Sequence, residues 1–531
     1  MTIADFIIVG AGPAGCALAA GLAKSKRAPQ VVLIEAGGSD PSLFSQIPLG
    51  LATRVPWRNR ENYAFETIPQ PGMNNRKGYV PRGRGLGGSS LINAMIYIRG
   101  QRQDYDHWAA LGCRGWGWAD VLPFFKRGET NSRGSDDHHG GDGPLRITDL
   151  TAPGAATYAF LEAAKHCGFP LNEDFNGADQ EGVGLYQVFQ HQGKRFNAAE
   201  AYLGTAPYPQ NLQVMTNIEV ESVVFEQRTA VGVKIRSGGK ETVIRARREV
   251  ILTAGAIGSP HLLQLSGIGP GDALRSHGID VVYDAPDVGE NLQDHVDYAA
   301  NILSRLDGLV GYTPKALGNI AKAAFEYRKR TGLLTSNVAE AGGFVRSRPE
   351  VDRPDLQLHF CIGLVDDHAR KMHVATGYAL HVCVLRPESR GRVTLSSGRP
   401  SSEPLIDPRF FSDERDLDLL VRGARIVHDI VEAPPLAGSA SRPLYPIDFT
   451  NETQVKQFVR EHADTIYHPV GTCRMGGDER SVVDPTLKVR GVDRLRVADA
   501  SIMPTLISGN TQAPSAMIGE KAAALILDEA V

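Results

Sequence analysis

The stretch Phe6-Ile-Ile-Val9-Gly10-Ala-Gly12-Pro-Ala-Gly15 sets four apolar residues directly in front of three closely spaced glycines. Phe6 to Val9 reads as a short buried parallel strand, and Ala14, Ala17, Leu18 and Gly21 then recur at helical spacing. Strand, tight turn and helix follow. Gly10 permits the turn, Gly12 lets a pyrophosphate approach the backbone, and Gly15 allows close helix packing, so phosphate charge would meet a helix N-terminus. A second apolar run, Val31 to Ile34, ends in Glu35, twenty residues past Gly15, where a carboxylate would hold a ribose hydroxyl and repel a 2′-phosphate. Alone such a glycine motif is weak; with both strands and the acid it predicts a doubly wound α/β dinucleotide-binding domain.

The rest of the chain is compatible with one large enzyme. The 531 residues contain 57 Gly and 32 Pro at 42% hydrophobic content without low-complexity tracts, which suggests interleaved domains rather than a string of modules. A net charge of −3 without a basic stripe argues against nucleic acid as a partner. Phe6 to Ala23 lacks charge, but Pro13 and four glycines interrupt it and no basic residue precedes it, so it is read neither as a membrane span nor as a secretion signal. The chain is expected to begin in the cytoplasm. Six cysteines without CxxC spacing give no zinc site or disulfide framework, and reduced thiols are expected.

Two further glycine clusters stand out. Gly83-Arg84-Gly85-Leu86-Gly87-Gly88-Ser89-Ser90, followed by Asn93, offers N–H and O–H donors with close backbone approach, fit for a diphosphate or a flavin edge. Gly255-Ala-Ile-Gly258-Ser259-Pro260-His261 follows a strand at Glu249 to Thr253, and predicts a helix with Ser259 as N-cap, Pro260 as its first residue and Gly267 near its end.

These stretches resemble the signatures of the glucose-methanol-choline (GMC) oxidoreductase family, the first from Gly83 to Asp106 and the second from Gly255 to Gly269. Arg496-Val-Ala-Asp499-Ala500-Ser501-Ile-Met-Pro504 matches the family's C-terminal signature. The resemblance spans the chain. It is closest to bacterial medium-chain alcohol, polyethylene glycol and choline dehydrogenases, through Leu334 to Gly343, Asp367 to Lys371 and Tyr467 to Gly476. It implies a Rossmann-like FAD-binding domain from residues 1–150, 205–300 and 484–531. Residues 151–204 and 301–483 would form an interleaved substrate domain on an antiparallel sheet. It also implies FAD contacts at Gly10, Gly12, Gly15, Glu35, Ala36, Arg84, Gly87, Gly88, Ser89, Asn93, Val220, Asp499, Ala500, Asn510 and Thr511. Choline oxidases attach the flavin through a His where this chain has Ile92, so non-covalent FAD is expected.

The chemistry of alcohol oxidation asks for two more groups. Hydride leaves a carbinol carbon more readily when a base takes the hydroxyl proton, with flavin N5 facing the carbon. His468, in the turn-like His468-Pro-Val-Gly471, is the candidate base, and Asn510 can donate to the developing alkoxide without competing for the proton. Gln512-Ala-Pro514 opens an apolar-periodic run to Leu527, a predicted helix whose positive end would face the flavin. Leu356, Leu358 and Phe360 alternate with Gln357, His359 and Cys361, and Tyr378 to Leu385 and Arg392 to Leu395 look like companion strands. His359 matches a substrate-contacting His of choline oxidases; Asn337 is a second candidate substrate contact. Asp136-Asp137-His138-His139 has metal-ligand residue types in a Gly-rich loop, but no metal is expected.

The expected activity is FAD-dependent oxidation of an uncharged primary alcohol to the aldehyde, with a quinone or carrier, or alternatively O2, as electron acceptor. Choline dehydrogenase, alcohol oxidase, hydroxynitrile lyase and a non-catalytic flavoprotein are the alternatives. Glu340 would offer choline a counter-charge. Thr313 to Arg330 predicts a helix with Leu317, Ile320, Ala321 and Ala324 on one side and Lys315, Lys322 and Lys329 largely opposite. It reads as a solvated helix beside the substrate entrance or, alternatively, as a peripheral contact with the inner membrane.

Overall fold

The computed structural model describes residues 3–438 and 441–529. Ile3–Val9, Val31–Ile34 and Leu212–Met215 pair in parallel, and Ile3–Val9 also pairs with the long strand Lys240–Leu252. The C-terminal half of that long strand pairs in parallel with Leu495–Val497, while its N-terminal half turns back into the antiparallel strands Thr229–Ser237 and Glu219–Glu226. Strands covered on both faces must be apolar throughout, which is why the short runs around Ile7 and Val32 do not alternate.

The helix Pro13–Ala23 lies against the C-terminal helix Gln512–Glu529 at glycine contacts. A Cβ on Gly21 would stand 2.6 Å from the Ala523 Cβ, and one on Gly519 would stand 2.2 Å from the Ala14 carbonyl oxygen. The predicted helix start at Ser259 is overturned: the helix runs Gly255–Leu265, with Ala254 at its N-cap and Pro260 inside it. Proline there deprives the Ala256 carbonyl of its partner. Thr472 Oγ1 donates to that carbonyl at 2.6 Å, so the helix tolerates the proline. Ser259 instead donates to Asp499.

A second sheet is antiparallel, in the order Arg442–Pro443, Val296–Leu303, Gly377–Val384, Leu356–Cys361, Ala339–Val345, Gly182–Leu185. Leu356, Leu358 and Phe360, with Leu380, Val382 and Val384 beside them, join the core around the helix Glu414–Glu432. Period-two alternation then turns Gln357, His359 and Cys361 to the opposite face, toward the first sheet. The strand Gly391–Thr394 does not join this sheet as expected, but pairs with Glu290–Leu292 and Leu405–Asp407.

The helix at Pro314–Glu326 is capped by Thr313, and it buries Ala316 and Ala323 with Ile320 half-buried between them. Leu317 and Phe325 are 53% and 67% exposed, so these large apolar side chains of the helix stand outward. The small alanines let the helix sit close to its support, and the bulky side chains stay outside.

Candidate active site

A cavity of about 1290 Å³ runs between the two sheets, and all three glycine loops open onto it. Gly10 has φ +106°, and a Cβ there would sit 2.6 Å from the Thr253 carbonyl oxygen. Nothing lies within 4 Å of the place a Gly12 Cβ would occupy. The Gly12 backbone, at the helix N-terminus, is thus open to an incoming anion. Gly88, at φ +55°, faces it so closely that a Cβ would stand 2.7 Å from Gly12 Cα. Gly10, Gly12, Glu35, Ala36, Arg84, Gly88, Ser89, Asn93, Val220, Asp499, Ala500, Asn510 and Thr511 line the cavity. Gly15 and Gly87 do not. A Cβ on Gly15 would lie 1.9 Å from the Gly10 carbonyl oxygen, so it serves helix packing, and Gly87 N–H donates to the Ala11 carbonyl at 2.8 Å, joining the first two loops.

Glu35 is buried and already accepts from Ala11 N–H at 2.9 Å, Gly37 N–H at 2.8 Å and Gly85 N–H at 3.0 Å. Burial raises its pKa although those donors and Arg84 oppose it. A carboxylate has about four lone-pair sites, so one remains for a ribose hydroxyl. Asp499 ties the third loop in the same way, through Gly255 N–H at 2.8 Å and Ser259 Oγ. Gln512 Nε2, at the start of the C-terminal helix and on the cavity wall, is buried without a partner. Open glycine backbone, helix N-termini and an orphaned donor together fit FAD.

The two catalytic candidates meet beyond the flavin cradle. His468 Nε2 and Asn510 Nδ2 are 3.2 Å apart, and His468 Nδ1 stands 2.9 Å from His295 Nδ1. The tautomers follow from the partners. His295 Nε2 faces the carbonyls of Leu385 and Ile507, both at 3.1 Å, so it must carry the hydrogen. His295 Nδ1 is then an acceptor, His468 Nδ1 must donate to it, and the lone pair of His468 is left on Nε2, in the cavity. Gln357 Nε2 donates to Asn510 Oδ1 at 3.0 Å, which turns the Asn510 amide so that its Nδ2 donors face His468 Nε2. Burial, with the neighbouring His295 and His359 rings and the Arg82 cation also opposing a charge there, holds the His468 pKa well below the usual range, so the imidazole is neutral at pH 7.

The backbone around the base is itself constrained. Tyr467 has φ +79°, a strained conformation for a side-chain-bearing residue. Its carbonyl accepts from Arg82 Nη1 at 2.8 Å, its N–H donates to Thr465 Oγ1 at 2.7 Å, and its hydroxyl meets His368 Nδ1 at 2.6 Å. Asp294 accepts from His468 N–H at 2.8 Å and from Thr465 Oγ1. Burial pushes its carboxyl up to about 7 despite these donors and Arg82. Neither Asp294 nor His295 stood out in the sequence. Their only local trace is two charged or polar residues placed just before the strand Val296–Leu303.

His359 and Asn337 both line the cavity. Asn337 Nδ2 donates to the Ala94 and Ala339 carbonyls, both at 2.9 Å, and its Oδ1 has no partner. Glu340 is not among the cavity-lining residues, and its carboxylate accepts from Gly154 N–H, Thr157 Oγ1 and Ser336 Oγ. His139 stands between Glu129 and Asp174; burial would lower its pKa, but the two acids win and raise it to about 9, so it is an ion-pair partner. Among the described residues no group of three His, Cys, Asp or Glu is arranged to hold a metal ion.

Known proteins resemble this chain over nearly its whole length. The chain is 45% identical to an alcohol dehydrogenase [acceptor] of Pseudomonas putida, over 98% of this chain and 95% of that one. It is 40% identical to an oxygen-dependent choline dehydrogenase of Sinorhizobium medicae, over 99% and 95%. Among solved structures, pyridoxine 4-oxidase from Mesorbium loti superposes with a TM-score of 0.89 at 30% identity, covering 99% of both chains. A formate oxidase gives 0.90 at 26% identity, covering 99% of this chain and 98% of that one. Residues 4–297 and 387–519 match the N-terminal and C-terminal parts of GMC oxidoreductase, and the chain belongs to that family.

Proposed function

We propose that this oxidoreductase converts an uncharged primary alcohol of medium size to its aldehyde, with His468 as base and Asn510 as donor to the alkoxide. The observation that carries this reading is the lone pair on His468 Nε2, fixed by His295 and set 3.2 Å from the Asn510 amide inside the cavity. An alcohol oxygen set beside this pair, within hydrogen-bond reach of both, gives its proton to His468 Nε2 and receives a hydrogen bond from Asn510 Nδ2 as negative charge develops. FAD bound in the glycine cradle supplies the hydride acceptor. The helix Gln512–Glu529 points its N-terminal turn into the cavity, which favours negative charge there.

Dissociable FAD is supported by Ile92, a cavity-wall residue with no nucleophile to offer. A substrate other than choline is supported by the engaged carboxylate of Glu340 and by Lys371, a cation on the cavity wall. The names of the relatives divide between an alcohol and choline as substrate, and the acceptor is proposed to be a quinone or carrier rather than O2. The division into a discontinuous FAD domain and a substrate domain is proposed on the two sheets.

Helix Pro314–Glu326 supports a second proposal, contact with a membrane surface. Leu317 and Phe325 are exposed on it, and Tyr312, beside the cavity mouth, is also exposed; Lys315 and Lys322 flank them. Among the described residues no helix is long and apolar enough to cross a membrane.

The test is flavin bleaching by an alcohol panel that includes choline, under anaerobic conditions, followed by reoxidation with O2 and with an added quinone. Fastest bleaching by medium-chain neutral alcohols and slow reoxidation by O2 are expected. Choline as the most efficient substrate would overturn the substrate reading, and O2 matching the quinone would overturn the acceptor. Flavin left on the precipitated chain after acid denaturation would refute dissociable FAD.

A further inference from the structure

The cavity face of the second sheet carries a charged pair that the proposed reaction does not use. His359 on Leu356–Cys361 stands opposite His381 on Gly377–Val384, and His381 stands opposite Ala299, two residues from Asp297. His381 Nδ1 and Asp297 Oδ2 are 2.7 Å apart. His359 and His381 are 3% and 8% exposed, and both line the cavity. His381 Nε2 and His359 Nδ1 are buried without any hydrogen-bond partner, and Asp297 Oδ1 behind them also has none.

The protonation states follow from the surroundings. Burial works against charge on His381, but Asp297 outweighs it and holds the imidazole pKa well above the usual range. His359 goes the other way, kept neutral by burial and by the neighbouring His381 charge. With Nδ1 given to Asp297, the second N–H of His381 has no oxygen to meet and only the Cys361 thiol, a weak acceptor, beside the ring. An unmet donor on a buried cation is costly, so the site calls for an oxygen acceptor.

A purely structural strut is the simpler account of such a pair, but it explains less. The strands bearing Asp297 and His381 are already joined along seven register positions from Asp297↔Cys383 to Leu303↔Gly377. A strut also needs no unpartnered nitrogen, still less two on adjacent strands in residues that line the same cavity.

Resting on the alcohol-oxidising reading above, we propose that His381, supported by Asp297 and flanked by His359, forms a polar subsite for a second oxygen carried by the substrate beyond its reacting hydroxyl. Gln357, which holds Asn510, lies one strand over and two residues along from His381. Strand spacing and rise put their backbones about 8 Å apart. The favoured substrate class is therefore a primary alcohol of medium length with a terminal hydroxyl or carbonyl oxygen, not a plain alkanol.

Matched series of 1-alkanols and α,ω-diols, from butane to octane skeletons, test this by flavin reduction in the FAD-loaded enzyme. The diol-to-alkanol ratio of kcat/KM is expected to peak at an intermediate length at about tenfold or more, the size of a hydrogen bond to a charged group. In Asp297→Asn/His381→Leu, which removes both charges together, the ratio is expected to fall to near one at every length. His381→Gln, which keeps an amide donor, should retain part of it, and serves if the double variant loses FAD. A wild-type ratio near or below one at all lengths overturns the subsite while leaving alcohol oxidation standing, as does a ratio unchanged in both variants. If neither series reduces the flavin, the alcohol reading and the subsite fall together.

Discussion

The two walls of the cavity are made of different materials. On the nucleotide side the lining comes from backbone: three loops in which Gly10, Gly88 and Gly255 hold positive φ, with Glu35 and Asp499 collecting N–H groups between them. On the substrate side they come from side chains on the face of a regular sheet, where Gln357, His359 and His381 stand in register. A backbone cradle suits a cofactor, whose phosphates ask only for N–H groups. A side-chain wall can be rewritten one residue at a time without disturbing the ladder beneath it, so specificity belongs there.

The contrast is most exposed at His468. His468→Ala should leave FAD bound and lower the rate of flavin reduction by a factor on the order of 10² or more; stopped-flow reduction near the wild-type rate would remove it from the base role. Asn510→Ala should lose roughly 10- to 10³-fold in the same assay, and an undiminished rate would mean another donor holds the oxygen. The opposite wall should answer differently. Gly10→Ala imposes a side chain on φ +106° and on the Thr253 carbonyl, so FAD affinity should fall by roughly 10- to 100-fold, the size of such backbone strain, and the protein should purify with little flavin. Full flavin content in that variant would break the claim that the cradle depends on glycine.

A smaller effect distinguishes Asp294. Its carboxyl, pushed up to about 7, ionises near neutrality beside the base. A buried negative charge there favours the imidazolium that forms on His468, so kcat/KM should rise a few-fold, roughly 2- to 10-fold, as pH increases through that value. Below it the enzyme should remain active, because His468 itself stays neutral to well below its usual pKa. Asp294→Asn should flatten the step; a step that persists would assign it elsewhere. Smallest of all, liposomes containing anionic lipid should retain more of the protein than neutral ones, and Leu317→Ser/Phe325→Ser should reduce that retention. Equal binding to both, or none, would leave the helix Pro314–Glu326 as a solvated surface element.

The same division explains what was readable in the sequence. A backbone that needs positive φ or close approach must use glycine, so Gly10, Gly12 and Gly83 to Gly88 left a local trace, as did the alternation from Leu356 to Cys361. His468 and Asn510 were found through the family resemblance, since one His among fifteen carries no mark of its own. The alternation sets Gln357 on the face opposite Leu356, Leu358 and Phe360, but its bond to Asn510 joins residues 153 apart. The errors share that origin. Pro260 reads as a helix start unless one knows that Thr472, 216 residues from Ala256, satisfies the carbonyl it leaves open. Arg392 to Leu395 reads as a companion of Leu356 to Cys361 until Glu290–Leu292 and Leu405–Asp407 are seen to pair with it instead. Partners far along the chain decide such cases, and composition and periodicity do not record them.

His295 ends in two carbonyls, those of Leu385 and Ile507, and this limits more than a tautomer. A carbonyl accepts a hydrogen bond but does not carry a proton onward. The chain of rings behind His468 is thus a blind alley rather than a wire, and under the proposed mechanism a proton gained at Nε2 would have no exit through the protein's interior by that route. It would depart through the cavity, by the doorway the alcohol uses. Recharging the base and exchanging the molecules in the cavity would then be one traffic problem, with whatever occupies the mouth of the site acting on both.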